Sequence, residues 1–388
     1  MITWREGVVA SLGAAWDGAV EVSVRGADGE VLRALAYPAV SGEPRPGQRV
    51  LMTTAQLDRG LGTGGYAFVV AAPDELPGDA PSAPGHLVKA RYTPLQQLVL
   101  GVDDQESAHH ETLRDADDLT GMPVVVADLH SAVPAIVAGI RHAALRAGRP
   151  LPRVAYLMLD GGALPAAFSR TVAGLRAAGW LEACVTVGQA YGGDLEAVTV
   201  HTGLLAARLV AAADVTVVAQ GPGNLGTGTR WGFSGVAAGE AVNAAGTLGG
   251  RPVAALRVSG ADSRERHLGV SHHSLTAYGR VALVPADVVV PDFGVGPVLG
   301  VPDDDGVPPL EAGSLTALGA RVRQQAASLA EPVGRHRLVE VETGSELMTA
   351  LSSTPVRLSS MGRSLAEDPA AFLASAAAGV HAGALHAG

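Results

Sequence analysis

Runs of continuous apolar residues alternate with stretches of helical spacing from about residue 122 onward. The clearest apolar runs cover residues 123–127, 154–159, 183–187, 215–219 and 253–258. Helical stretches follow them at residues 132–147, 165–178, 195–211, 236–248 and 272–278. Strands buried on both faces of a parallel sheet are apolar throughout, and helices form the crossovers between them. The pattern predicts a doubly wound, mostly parallel, Rossmann-like α/β domain over residues 122–388.

The pattern beyond the fifth apolar run extends this domain. We expect a strand at residues 286–290, a Gly-, Pro- and Asp-rich loop at 292–309, a helix near 314–329, a strand at 337–341, and helices near 345–352 and 368–381.

The N-terminal part of the chain has a different rhythm, with short strands and frequent turns. The predicted strands cover residues 7–12, 20–25, 30–36, 48–53 and 66–71. An Asp28-Gly29 pair between two of them is typical of a tight hairpin. Short strands at this spacing indicate a small β-barrel of the OB or SH3-like kind over residues 1–72. Residues 73–121, which begin with a proline-rich stretch, would link it to the α/β domain.

Polar residues follow each of the five clearest predicted strands. Ligands of open α/β sheets bind beyond the carboxyl ends of the strands, where helix N-termini also point. The candidates for chemistry at these ends are Asp128, His130, Asp160 and His267. Asp194, Arg264 and Arg266 are candidates for ligand contacts, and the two arginines would clamp an anion. A simpler explanation also exists, because Asp caps helices and turns, and charged loops can be merely solvated.

The loop after the fourth strand is rich in glycine and hydrogen-bond donors. The ligand-binding candidates in it are Gly221, Gly223, Asn224, Gly226, Thr227, Gly228, Thr229 and Arg230. Backbone amides, hydroxyls and a guanidinium in one loop can surround an anion. The glycines fit G-x-G-x-x-G, but they follow the fourth strand, and no acidic residue ends the next strand in the ribose position. We expect a phosphate or carboxylate site in preference to a nicotinamide site, with a structural turn as the alternative.

Histidines near predicted loops and helix starts suggest either a metal site or acid–base chemistry. Imidazole and carboxylate ligands suit zinc, manganese or iron. A divalent metal would draw on Asp128 and His130 with either Asp160 or Asp194. One member of the His272 and His273 pair would be a further ligand. No HxH or HExxH pair fixes the geometry. Without a metal, His130 or His267 would serve as general acid or base, and both interpretations stay open.

Composition narrows the class of partner. Hydrophobic residues make up 47% of the 388 residues, and the net charge is −10. This acidic balance argues against a nucleic-acid partner. No run of about 18 apolar residues and no signal-peptide pattern is present, so we expect a cytoplasmic protein without a membrane segment. The single cysteine, Cys184, fits a reducing compartment, and Lys89 is the only candidate for lysine chemistry.

Four stretches of the sequence resemble a known family. They are LGTGGY at residues 61–66, ARYTPLQ at 90–96, GTGTRWGF at 226–233 and SHHSLT at 271–276. Their wording is similar to that of a bacterial family of uncharacterised proteins, defined only as a domain of unknown function, and the resemblance extends over the full length. Because the family has no assigned activity, the resemblance implies no catalytic residue.

These observations favour an enzyme that acts on a small anionic metabolite by hydrolysis or group transfer, with a phosphate ester as the first candidate. The glycine loop and the arginines would hold the anion, while Asp128, His130 and Asp160 would transfer protons or bind a metal. A non-catalytic ligand-binding or sensory protein is an alternative from another class, and a nicotinamide-dependent oxidoreductase is a third. The sequence leaves the substrate, the metal and the formation of a homo-oligomer open.

Overall fold

Two compact units make up the chain. The computed structural model describes residues 2–60, 64–79, 82–294, 312–330, 332 and 334–386. Unit 1 comprises Met1–Pro84, Tyr92–Gln96 and Ala167–Ala173, and unit 2 comprises Gly85–Arg91, Gln97–Ala166 and Gly174–Gly388. The first boundary falls after residue 84, inside the segment that the sequence marks as a linker. Residues 61–63 of the first family stretch and residues 295–309 of the predicted loop lie outside the described residues.

Unit 1 is built on a closed five-stranded barrel, as the sequence predicts. Its elements are β1 (Trp4–Trp16), β2 (Ala19–Gly26), β3 (Val31–Ala36), α1 (Pro38–Ser41), β4 (Arg49–Thr53) and β5 (Ala67–Ala71). The strand order is β1-β2-β3-β5-β4, and antiparallel pairing of β1 with β4 closes the barrel. In the middle of β2, Val22 and Val24 are buried in the barrel core, whereas Ser23 between them is half-buried. This alternation gives the period of two that the sequence displays.

An eight-stranded sheet, parallel throughout, forms the centre of unit 2 and confirms the predicted α/β class. Its strands are β8 (Pro123–Val126), β9 (Val154–Leu159), β10 (Ala183–Thr186), β11 (Leu195–Glu196), β12 (Val215–Gln220), β13 (Arg251–Ala255), β16 (Asp287–Asp292) and β17 (Arg337–Glu342). All residues of β8, β9, β10 and β12 are buried, which explains their continuous apolar character.

Helices cover this sheet, and three short antiparallel strand pairs accompany it. The helices are α2 (His110–Leu113), α3 (Val133–Arg146), α4 (Arg170–Ala177), α5 (Val200–Leu209), α6 (Ala237–Thr247), α7 (His272–Thr276), α8 (Ala312–Ala326), α9 (Ser345–Ser352) and α10 (Pro369–Leu385). The pairs join β6 (Leu87–Lys89) to β7 (Gln97–Val99), β14 (Val258–Ser259) to β15 (Gly269–Val270), and β18 (Ser359–Ser360) to β19 (Arg363–Ser364). None of the helices among the described residues is long and apolar enough to cross a lipid bilayer.

Helices α3 and α10 approach each other unusually closely, and two glycines allow it. A Cβ atom on Gly139 would lie 2.0 Å from the carbonyl oxygen of Ala376, and one on Gly379 would lie 2.0 Å from that of Ile136. Any larger residue would therefore clash with backbone. Helix α10 is buried along most of its length, as expected for a helix without a polar face.

The side of the sheet to which the chain adds its next strand changes near the middle of the sheet. The order is β11-β10-β9-β12-β8-β13-β16-β17. From β8 the chain proceeds to β9, β10 and β11 on one side, and later to β13, β16 and β17 on the other. The carboxyl ends of β12, β8 and β13 are therefore neighbours at the point where ligands of such sheets bind.

Candidate functional site

Three polar residues lie at the carboxyl ends of the three central strands. Gln220 ends β12, Asp128 comes two residues after β8, and Arg257 comes two residues after β13. The side-chain amide of Gln220 donates to the carbonyl oxygen of Asp128 at 2.8 Å. The backbone N–H of Ser271 donates to the carbonyl of Arg257 at 2.8 Å, which ties the start of α7 to the end of β13.

Two buried tyrosines hold these strand ends together. The Tyr278 hydroxyl lies 2.8 Å from the carbonyl oxygen of Val126 and 3.2 Å from that of Ala255. The Tyr156 hydroxyl lies 3.0 Å from the carbonyl oxygen of Gln220. Burial raises the pKa of both hydroxyls well above the usual range, so both remain donors.

Three histidines form a cluster beside Asp128. One ring nitrogen of His267, one of His272 and one of His273 lie within 4.8 Å of one another. The ring centroids are 4.4 Å apart for His272 and His273, and 5.0 Å apart for His267 and each of the others. Ser271 caps helix α7 by accepting from the His273 N–H, and its hydroxyl lies 2.8 Å from His267 Nδ1. This histidine cluster therefore results from the way α7 begins.

Arg257 and Asp128 both face His273. The Arg257 guanidinium donates from Nη1 to His273 Nδ1 at 3.1 Å. Oδ2 of Asp128 lies 3.9 Å from the same nitrogen. The Phe233 ring stacks on His273 with centroids 3.9 Å apart and an interplanar angle of 2°. Contacts on several sides thus fix the His273 ring.

Burial dominates the electrostatics of the cluster. It raises the pKa of the Asp128 carboxyl, against the opposing effect of Arg257. Burial, followed by the charge of Arg257, lowers the pKa of His267 to about 4 and that of His273 to about 3. The pKa of His272 is also lowered, mainly by burial. The three imidazoles are therefore neutral at neutral pH.

Three buried polar atoms at these strand ends have no hydrogen-bond partner among the described residues. They are Asp128 Oδ2, Gln220 Oε1 and His272 Nε2. Buried polar groups are nearly always paired, because an unpaired one costs about 1–3 kcal/mol. Unpaired atoms gathered in one place are therefore suited to contact a ligand, an ion or water.

A small cleft opens beside Asp128 and Arg257. Its volume is about 30 Å³, compared with the roughly 10–15 Å³ that one water molecule requires. Polar residues in its lining are Asp128, Ser131, Arg257, Ser259, Asp262, Ser360, Arg363, Asp368 and Ser375. The cleft has room for a small polar group and its water, but not for a whole nucleotide.

The carboxylates on the far wall of the cleft are already paired. Asp262 accepts from both Nε and Nη2 of Arg264, at 2.9 and 2.8 Å. Asp368 accepts from the Ser259 hydroxyl at 2.5 Å, and Arg363 lies 3.3 Å from Asp368 and 3.4 Å from Asp262. The hydrogen bonds from Arg264 hold the pKa of Asp262 well below its usual range. Arg257 differs from these arginines because, in the described part of the chain, its guanidinium donates only to a histidine.

Two carboxylates predicted for the site have structural partners. Asp160 accepts from the backbone N–H groups of Gly162, Ala163 and Gln189, at 3.1, 2.9 and 3.0 Å. Asp160 therefore caps the turn that follows β9, which is the simpler explanation considered from sequence.

Asp194 accepts from the Cys184 N–H at 2.7 Å and forms an ion pair with Arg176. Both carboxylate oxygens of Asp194 thus have partners among the described residues. Metal binding by Asp160 or Asp194 stays a prediction.

His130 lies near Gln220, at the end of β12. Its Nδ1 is 3.0 Å from the Tyr156 hydroxyl, and burial lowers its pKa to about 4. A general acid or base role for His130 stays a prediction.

Within the part of the chain that the structure describes, the glycine loop after β12 makes most of its hydrogen bonds to itself. The Thr227 N–H donates to the carbonyl of Gly232 at 2.7 Å, the Gly232 N–H donates to the Thr229 hydroxyl at 3.1 Å, and the two threonine hydroxyls are 3.2 Å apart. An antiparallel bridge joins Gly226 to Phe233. The loop thereby delivers the Phe233 ring to His273, and Arg230 lies exposed on its outer side. In a dinucleotide fingerprint the third glycine opens the helix, whereas here Gly226 lies in this bridge and α6 begins at Ala237.

The remaining predicted residues lie around this centre. Arg264 is held by Asp262. Arg266 is exposed, and its positive charge helps to lower the pKa of His272 and of His273. Anion binding by either arginine stays a prediction.

Lys89, the only lysine, is fully buried and cannot act as an exposed amine. Its ammonium donates to the carbonyl oxygens of Thr186, Ala190 and Ala197 at 2.8–3.0 Å and lies 2.8 Å from Glu196 Oε2. The ion pair therefore joins β6 to the β10–β11 region of the sheet.

Sequence reasoning missed Arg257, Gln220 and Phe233. Arg257 falls inside an apolar run and was assigned to the strand, and Phe233 has no polar group to attract attention. One feature pointed to Arg257: a charged residue interrupts the end of an otherwise uncharged buried run.

Comparison with known proteins identifies the family. The profile of the family described as protein of unknown function (DUF3866) matches residues 33–379. The chain belongs to this family. The match confirms the resemblance found in the sequence, and it covers the barrel strands from β3 onward together with nearly all of unit 2. No curated protein and no solved structure matches the sequence.

Proposed function

We propose that this DUF3866 protein is an enzyme that acts on a small anionic metabolite, by hydrolysis or group transfer, at the ends of β8, β12 and β13. The observation that carries the proposal is the set of buried, unpaired polar atoms on Asp128, Gln220 and His272, beside the Arg257 guanidinium. Unpaired groups of this kind are costly to a fold and are concentrated at functional sites.

Each residue has a role that its chemistry supports. Arg257 presents N–H donors in a planar fork that matches the oxygens of a phosphate or carboxylate. Asp128 Oδ2 either accepts a hydrogen bond from a water or hydroxyl nucleophile or binds a metal that activates it. Since the cleft is small, only the reacting end of a substrate would enter it, and a phosphate ester is the first class to test.

The test combines ligand screening with matched variants. Thermal-shift measurements with inorganic phosphate, sugar phosphates, nucleotides and small carboxylates should identify a compound that raises the melting temperature. Arg257→Gln should abolish the shift, and Asp128→Asn should abolish turnover of that compound. Arg264→Gln is the matched control, because Arg264 is already held by Asp262.

Each outcome separates one hypothesis from another. If Arg230→Gln removes binding and Arg257→Gln does not, the glycine loop is the anion site and the proposal is wrong. If a compound binds through Arg257 but is never converted, the protein is a ligand-binding protein. If no anion in the panel shifts the melting temperature, the proposed substrate class is excluded.

A further inference from the structure

The histidine cluster has the composition and spacing of a transition-metal site. We propose that His267, His272 and His273 bind one divalent transition-metal ion, with Asp128 as the fourth protein ligand. The inference stands on these side chains alone and does not depend on the proposed function.

The spacing of the imidazoles is close to what one ion requires. With metal–nitrogen distances of about 2.0–2.1 Å, three nitrogens around a tetrahedral ion lie about 3.3 Å apart. One nitrogen of each histidine already lies within 4.8 Å of the other two. Small shifts of the imidazoles within their planes would close the remaining difference and would keep the stacking of Phe233 on His273. Three histidines packed for burial alone would not need to bring one ring nitrogen each into such a small space.

The surroundings of two of the rings resemble the outer shell of a metal site. A histidine that binds metal through one nitrogen usually has the other held by a hydrogen bond, which fixes the orientation of the ring. The Ser271 hydroxyl, 2.8 Å from Nδ1, provides this contact for His267. Phe233 stacks flat on His273 and fixes its plane.

Asp128 supplies the second, independent observation. This residue is only 2% exposed, and its Oδ2 has no hydrogen-bond partner among the described residues. The same oxygen lies 3.9 Å from His273 Nδ1, on the side of the cluster. His272 Nε2, a ring nitrogen of the cluster itself, is also buried and unpaired. An ion between these atoms would satisfy both.

The donor set indicates the class of metal. Imidazole nitrogens with one carboxylate suit zinc, iron or manganese, whereas calcium and magnesium prefer oxygen ligands. Arg257 donates to His273 Nδ1, so an ion bound at that nitrogen would displace the guanidinium. The released arginine would then be free to pair with an anion beside the ion.

A second group of potential ligands provides an internal control. This group consists of His86, Asp104 and Glu106. One potential ligand atom of each lies within 4.8 Å of the other two. However, the Glu106 carboxylate accepts a hydrogen bond from the Gly85 N–H at 2.8 Å, and the Asp104 carboxylate accepts one from the His86 N–H at 3.3 Å. His86 is largely exposed, and its Nδ1 lies 3.0 Å from Asp104 Oδ2, so the potential ligands of this group already have partners.

The experiment uses the full chain without a histidine tag. Metal content is measured after purification, and again after chelator treatment followed by Zn²⁺ or Co²⁺ and desalting. We expect about one ion per chain and the visible absorption bands of tetrahedral Co²⁺. His272→Gln and His273→Gln should remove the ion. Asp128→Asn should weaken Co²⁺ binding by at least the roughly 10- to 100-fold loss that follows removal of outer-shell partners.

Matched variants decide between binding sites. His86→Gln and His201→Gln, the latter at an exposed position on α5, should retain the ion and the Co²⁺ bands. Retention by His272→Gln and His273→Gln, or loss in His86→Gln, would overturn the proposal. If a variant fails to fold by circular dichroism, the wild type decides: the lack of saturable Co²⁺ binding to the chelator-treated chain refutes the site.

Discussion

Two buried charged clusters in unit 2 have opposite hydrogen-bonding states. Around Lys89, three carbonyl oxygens and the Glu196 carboxylate accept all the hydrogen bonds that the ammonium can donate. Glu196 in turn accepts from the Thr186 hydroxyl and from the Gly192 N–H, both at 2.6 Å. Around Asp128, by contrast, a carboxylate oxygen and a nitrogen of His272 have no hydrogen-bond partner in the described part of the chain.

Burial of charge is therefore not by itself a mark of function. The Lys89 cluster is the most deeply buried ionic group described, yet it has no remaining capacity to bind a ligand. The Asp128 cluster keeps such capacity at the place where the sheet changes direction. An unused hydrogen-bonding atom, more than a buried charge, distinguishes a candidate site from a structural ion pair.

The largest expected effect on stability is at the Lys89 cluster. Lys89→Met leaves Glu196 buried without its counter-ion, so we expect the free energy of unfolding to fall by about 3–5 kcal/mol. Urea denaturation followed by circular dichroism measures this loss. The double variant Lys89→Met with Glu196→Gln should recover much of it. A single variant as stable as the wild type would show that the two clusters do not differ as described.

A smaller effect is expected at the paired carboxylate on the cleft wall. Arg264→Gln should cost about 1 kcal/mol at pH 7, since the 41% exposed Arg264 side chain is partly screened by solvent. The folded-state pKa of Asp262 is depressed, so its contribution is complete above the unfolded pKa of about 3.9.

That contribution is lost as the pH falls through the folded-state value. Denaturation of the wild type and Arg264→Gln between pH 7 and pH 3 should show a difference that narrows below about pH 4. A difference that is constant over this range would contradict the assignment of the ion pair.

The smallest expected effect on stability is at the Asp128 cluster. Asp128→Asn replaces a buried, unpaired carboxylate with a neutral group of the same shape, so chelator-treated protein should change in stability by less than about 1 kcal/mol. The same denaturation experiment measures it. A loss comparable with that of Lys89→Met would mean that Asp128 is a structural residue, and the contrast between the clusters would disappear.

The fold could be read from the sequence because its main elements have strong periods. The run at residues 154–159 coincides with β9 (Val154–Leu159), and the helix expected at 345–352 coincides with α9 (Ser345–Ser352). The short pairs were beyond reach, because two or three residues, as in β14 or β18, show no period.

The candidate site could be read only in part. The structure gathers His267, His272 and His273 into one cluster and brings Asp128 to 3.9 Å from His273. The sequence had singled out all four positions. For Asp160 the sequence could not decide between a ligand contact and a cap, because the two uses require the same residue type in the same place. The difference lies in which distant amides surround the carboxylate, and only folding determines that. The chemistry of the site stays a prediction.

The seclusion of Lys89 offers a practical consequence. As the chain's only lysine, with no exposed surface, it can meet an amine-directed reagent only when this region opens. The rate at which one mass tag appears at residue 89 would therefore count those openings directly. The chain carries its own reporter of transient breathing, with no engineered probe.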